Sequence, residues 1–261
     1  MVDNPGVAIV CGGLVSPGRS IAAELLKRGW SVVAQHSNGE VGMLANELAA
    51  ETAAGDRLGA FQADLTDDAQ REDLVEFALD EFARVDLLVC PPPFGPHMPS
   101  ADLLEVDPTL VSQAFSTGVL APMFIAQRVA NEMIRLIESE TIDGGKIVFL
   151  GSLAAYTTST DQGPGCLAAS GVATLTRLFA DRLGEYGINV YEIRAGLMAT
   201  RSGEAGHDKY DRLINEGLTP IRRWGRPRDL ALALAAVAED ALGFSTGQVL
   251  NVDGGFHLRR L

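Results

Sequence analysis

The sequence predicts an α/β fold, a doubly wound parallel sheet with helices on both faces, built as a single domain. Three observations predict it. Short apolar runs alternate with helix-length amphipathic segments along the chain. The runs are near-continuous in Val, Ile and Leu, as in strands covered on both faces. The 261 residues suit one large domain with a sizeable buried core.

GVAIVCG (6–12) reads as the first buried strand, and GRSIAAELLKRG (18–29) as a helix stopped by Gly29. SVVAQ (31–35) is the next strand, followed by a helix over about 40–53. GAFQADL (59–65) is a third strand. DDAQREDLVEFALDEFA (67–83) is a helix, with Leu74, Phe77, Ala78 and Phe82 at helical spacing on one side. DLLVC (86–90) is a fourth strand, and a long helical stretch covers 107–138. KIVFLG (146–151), a helix over 165–186, INVYEI (188–193) and GQVLNV (247–252) complete the series. Right-handed crossovers between parallel strands wind the sheet both ways from its middle. Ligands of such sheets bind outside the carboxyl ends of the strands, where the winding reverses. Residues 201–225 form the most polar long insertion, after a strand end. They are expected to form either a lid over that crevice or an ordinary surface helix with loops.

The formal net charge of −13 repels phosphate backbones and acidic headgroups, so neither nucleic acid nor a membrane is an expected partner. The three cysteines, Cys11, Cys90 and Cys166, have no paired spacing. That argues for a reducing compartment, hence a cytoplasmic location, and against a disulfide framework. No CxxC or HxxxH spacing suggests a metal site, and the four histidines are scattered. Asp3 precedes the first apolar run with no basic residues, which is not a leader pattern. DLALALAAVAEDALG is too short and too charged at its ends to span a bilayer.

The C-terminal third carries the most specific signal: GINVYEIRAGLMAT, then RRWGRPRDLALALAAVAED, then STGQVLNVDGG. With these segments the chain resembles, over nearly its whole length, the short-chain dehydrogenase/reductase family of Rossmann-type oxidoreductases. The tail is similar to the 3-oxoacyl thioester reductase branch. GRSIA (18–22), FGP (94–96) and AG (195–196) are similar to the enoyl-carrier reductase branch.

The resemblance implies a set of site positions, several of which depart from the family's residues. The dinucleotide loop TGxxxGxG corresponds to CGGLVSPG, 11–18. Gly12 and Gly18 match it and are the implied cofactor-binding glycines. Ser16 replaces the middle glycine and sets a Cβ where the backbone approaches the pyrophosphate. Pro17 offers no N–H to a phosphate. At the end of the second strand His36 and Ser37 stand where the family places a ribose-binding acid or a nearby arginine. Asp64 and Leu65 match the pair that meets the adenine ring; Thr66 and Asp67 beside them also read as a helix cap. CPPP (90–93) replaces NNAG, with three prolines that donate nothing. Gly118 aligns with the family's structural Asn.

Ser152 matches the catalytic Ser. The Tyr thirteen residues on falls at Gly165, and the Lys four further on at Ala169. In the enoyl-reductase spacing the Tyr falls near Gln162, and the Lys position is still Ala169 or Ser170. The only lysines are Lys27, Lys146 and Lys209, none of them in this helix. The substitutes in reach are Tyr156, four residues after Ser152; Cys166, beside the vacant Tyr position; and His97, on a loop expected to rim the crevice. Plain packing or surface roles are the alternative for each.

The departures gather at the chemistry while the scaffold motifs persist. The resemblance therefore implies a non-catalytic subunit with no cofactor or a weakly held NAD(P), assembling with an active paralogue or with itself as dimer or tetramer. The active partner's substrate would be a hydroxyacyl thioester. Two alternatives stand beside it: an atypical NAD(P)-dependent oxidoreductase using Ser152, Tyr156 and His97, and a small-molecule-binding regulatory protein.

Overall fold

In a computed structural model, describing residues 5–37, 39–92, 101–199 and 207–259, seven strands form one parallel sheet. In chain order they are β1 (Val7–Cys11), β2 (Ser31–His36), β3 (Leu58–Gln62), β4 (Leu87–Cys90), β5 (Gly145–Ser152), β6 (Ile188–Ala195) and β7 (Gln248–Val252). Their order across the sheet is β3-β2-β1-β4-β5-β6-β7, and every pairing is parallel. The chain starts in the middle and winds outward in both directions, so the reversal lies between β1 and β4.

Alternation along each strand divides the core in two. Ile9 and Cys11 of β1 face the layer of α3 (Asp68–Phe82), α5 (Ala121–Glu138) and α6 (Gly163–Leu183). Ala8 and Val10 face α1 (Gly18–Lys27), α2 (Val41–Thr52) and α8 (Pro227–Ala238). Both faces of the strand are apolar because both are covered, the reason the strands read as continuous runs.

Capping chemistry fixes the helix starts. Asp67 accepts from the Gln70 N–H at the head of α3. Asp107 accepts from the Thr109 N–H at the head of α4 (Pro108–Phe115), with Pro108 as first helical residue. The expected third strand over 59–65 stops at Gln62, because Asp64 turns the chain by accepting from the N–H and hydroxyl of Thr66. The expected single helix over 107–138 contains a π-helical turn, Ser116–Leu120, between α4 and α5. Pro122 follows it and has no N–H for the carbonyl of Gly118, so the α-helical ladder cannot run straight through. By length and composition the run Pro108–Glu138 is long and apolar enough to cross a membrane. Its inner face, including Ile125, Val129 and Met133, packs on the sheet. The polar insertion 201–225 contains α7 (His207–Asn215) in its described part.

Candidate functional site

The crevice is bounded by the carboxyl ends of β1, β4, β5 and β6 and by the helices that follow them. Gly12 leaves β1 at φ +71°, in the left-handed region that favours glycine. A Cβ on Gly18 would lie 2.3 Å from the Gly12 carbonyl oxygen, so glycine lets the head of α1 close onto the turn. These two glycines keep the loop's shape. Ser16 is exposed and Pro17 precedes the first turn of α1.

A residue that sequence reasoning missed holds this turn. Buried Gln35 accepts from the Gly12 N–H at 3.0 Å and donates to the Ala63 carbonyl at 2.6 Å. One amide thus ties the ends of β1, β2 and β3, at a polar position inside an apolar strand. His36, next in β2, is half-buried, and that burial lowers its imidazole pKa against a weaker opposing pull from Glu40. That shift works against the imidazolium charge that would attract a phosphate. Asp64 spends its side chain on the Thr66 turn, while Leu65 is buried. Cys90 is buried, and burial together with Cys11 pushes its thiol well up; burial pushes Cys11 up to about 12. Neither is a thiolate. Pro91 and Pro92 are half-buried. Pro93, the 94–96 motif and His97 lie outside the described residues.

On the other side of the crevice, Ser152 ends β5 and accepts from the Ala154 N–H at 3.2 Å, capping the short turn Leu153–Ala155. Across from it α6 contains neither tyrosine nor lysine. Gly165 and Ala169 are buried there, Cys166 is half-buried, and Gly118 is buried in the π-helical turn.

Tyr156 does not stand alone. Its hydroxyl donates to Asp253 at 2.9 Å, and the Arg194 guanidinium lies 5.7 Å from its ring centroid. Burial, then the hydrogen bond to Asp253 and its charge, raise its pKa, opposed by Arg194. The phenol is therefore a weaker acid than usual. Arg194 in turn bonds Glu192, with Nε to Oε1 at 2.7 Å and Nη2 to Oε2 at 2.9 Å. Glu192 is fully buried on the α6-facing side of β6. A Cβ on Gly151 would lie 2.1 Å from its Oε1, so glycine there makes room for the carboxylate.

Asp253 follows β7 and is also buried. Besides Tyr156 it accepts from the Gly255 N–H, the His257 N–H and His257 Nδ1, each at 2.9 Å. Its Cα would be 2.4 Å from a Cβ on Gly196, so the backbones after β6 and β7 close on each other. Burial alone would raise the Asp253 carboxyl, but the donors outweigh it and hold the carboxyl below its ordinary range. A depressed carboxyl contributes stability that is present above the unfolded pKa, about 4, and lost as pH falls through the folded value. Asp253→Asn is expected to cost about 2 kcal/mol at pH 7. It should also flatten the acid limb of stability below about pH 4, read from urea midpoints between pH 3 and 7. An unchanged acid limb would count against this role.

Among the described residues no cluster of His, Cys, Asp and Glu could hold a metal. The fit to a dinucleotide is divided. The glycine turn remains compatible with it, while β2 ends in His36 rather than a carboxylate and α6 supplies no tyrosine or lysine.

Comparison with known proteins gives a consistent result. A family described as Enoyl-(Acyl carrier protein) reductase matches residues 13–257. L-rhamnose-1-dehydrogenase of Scheffersomyces stipitis is 28% identical, over 97% of this chain and 96% of its own length. L-rhamnose 1-dehydrogenase (NAD(P)(+)) of Azotobacter vinelandii is 30% identical, over 95% of this chain and 94% of its own. The crystal structure of a 3-oxoacyl-[acyl-carrier protein] reductase from Brucella melitensis in complex with NAD superposes with a TM-score of 0.90. It is 27% identical and covers 98% of both chains.

Proposed function

The chain belongs to the short-chain dehydrogenase/reductase family, and from that premise we propose that it is a non-catalytic subunit of an oxidoreductase assembly. The observation that carries this reading is the helix α6, which supplies neither the tyrosine nor the lysine of the family's chemistry. The relatives are named as dehydrogenases and reductases, so the fold's ordinary use is redox chemistry at the crevice. This member keeps the turn at Gly12 and Gly18 and presents Gly165 and Ala169 where the reacting groups would project. Its cofactor occupancy is none or weak. Its partner is an active member of the same family, or a second copy, in a dimer or tetramer. The outer faces of α4 to α6 supply apolar side chains for such a contact: Phe115, Leu120, Phe124, Leu167 and Leu178 are all exposed. The similarity to 3-oxoacyl reductases supports a hydroxyacyl thioester as the active partner's substrate.

One observation favours a second reading, an atypical NAD(P)-dependent enzyme. Tyr156 follows Ser152 closely and has a cation beside it in Arg194, a tyrosine–cation pair at a new place. Calorimetric titration with NAD⁺, NADH, NADP⁺ and NADPH separates the two. The first reading expects no binding at micromolar concentrations. Micromolar binding that Gly18→Ala abolishes would put the second in its place.

A further inference from the structure

Behind the crevice rim lies a cavity of about 390 Å³ between the end of β7, the start of α8 and the segment after α7. That volume is in the range of small-molecule sites. Its apolar walls are Leu197, Ile214, Ile221, Ala233 and Val252. Two ionic groups on its lining neutralise each other: Arg223 reaches both oxygens of Asp229, at 2.7 and 3.1 Å. The remaining charge is the buried Asp253 carboxylate, and His257 stands on it.

The partner of His257 decides what the ring can do. A carboxylate only accepts, so Nδ1 carries the proton. The other nitrogen, Nε2, is then an acceptor in the neutral ring, and among the described residues it has no hydrogen-bond partner. The side chain is 38% exposed, so the ring is reachable. Its orientation is fixed twice, by the Nδ1 bond and by the His257 backbone N–H on the same carboxylate.

We infer that this cavity is a second small-molecule site. It takes a neutral molecule with an apolar body and one hydroxyl that donates to His257 Nε2. The apolar walls select the body. The lone carboxylate charge of Asp253 disfavours an anion, and the paired Arg223 offers it no free counter-charge. A cation finds an acceptor already saturated by four donors. Asp253 also holds Tyr156, so a ligand on His257 is one shared carboxylate away from the crevice rim. The inference does not depend on whether the crevice itself turns over.

The test uses the full chain with ¹⁵N-labelled histidine and ¹³C-labelled isoleucine methyls, titrated with cyclohexanol. The expected result is a saturable shift of His257 Nε2 together with the methyls of Ile214 and Ile221. Cyclohexanecarboxylate and cyclohexylammonium should bind about tenfold more weakly or worse, since each adds a charge with no partner. Ala233→Phe fills the cavity from α8 and should remove the saturable response. Should that variant fail to fold, His257→Gln serves instead and should weaken cyclohexanol binding about tenfold. Shifts that stay linear in the unmodified chain would overturn the proposal. So would a response unchanged in a folded variant, or a carboxylate that binds as tightly as the alcohol.

Discussion

Glu192→Leu is expected to destabilise the fold by about 3 kcal/mol, the lower end for breaking a buried ion pair. Glu192 is 0% exposed and carries both of its oxygens on Arg194. Removing the carboxylate leaves a guanidinium, itself only 15% exposed, without its counter-charge. The partial exposure of Arg194 places the cost at the lower end, because its head can turn toward water. Leucine is close to glutamate in volume, so the change tests charge rather than space. The informative comparison is the double change Glu192→Leu with Arg194→Leu. Replacing a buried pair by apolar side chains is often neutral or stabilising. The double variant should therefore recover most of the loss in urea midpoint. A single change costing under about 1 kcal/mol would show that the pair is not sealed from solvent. A double variant as unstable as the single would show that Glu192 acts through packing against Gly151.

The scaffold was legible because its signal is periodic and local. Runs such as VAIVC and KIVFLG need only burial on both faces to become central strands, and both do. Asp67 was legible as a cap because an N-cap bond spans three residues. Polar groups that bond across the sheet were not legible. Gln35 sits in an apolar run, and its two partners come from β1 and from the turn after β3. Glu192 and Arg194 share one face of β6 by simple alternation, but no sequence pattern says that this face is sealed. Asp253 stands within the tail motif STGQVLNVDGG, yet its work is set by Tyr156, 97 residues earlier. The break in the long helix lay in plain view at Pro122, and an apolar pattern that continued past it hid the π-helical turn. Ser152, Gly165 and Ala169 take their roles only by register against a resemblance, and they lie at the end of β5 and inside α6.

The largest expected effect is on chemistry. A short-chain dehydrogenase moves a proton at the carbonyl oxygen while hydride moves at carbon. A positioned acid is worth on the order of 10²–10⁴-fold, and correct placement of the reactants can contribute as much again. Tyr156 is the one tyrosine in the segment 152–171, and its proton is engaged by Asp253. Its raised pKa makes it a poorer donor, and its conjugate base would form beside a carboxylate. Arg194 cannot reverse this while Glu192 neutralises it. The chain alone is therefore expected to lack the whole proton-transfer contribution.

The measurement that tests this most directly is turnover by the chain purified alone. It would be assayed at high protein concentration with each of the four dinucleotides, against a panel of 3-oxoacyl thioesters, simple ketones and their alcohols. The account predicts no change in nicotinamide absorbance above the protein-free rate, and the same null result for Tyr156→Phe. Dinucleotide-dependent turnover by the pure chain, lost in Tyr156→Phe, would contradict it and place the reacting proton on Tyr156.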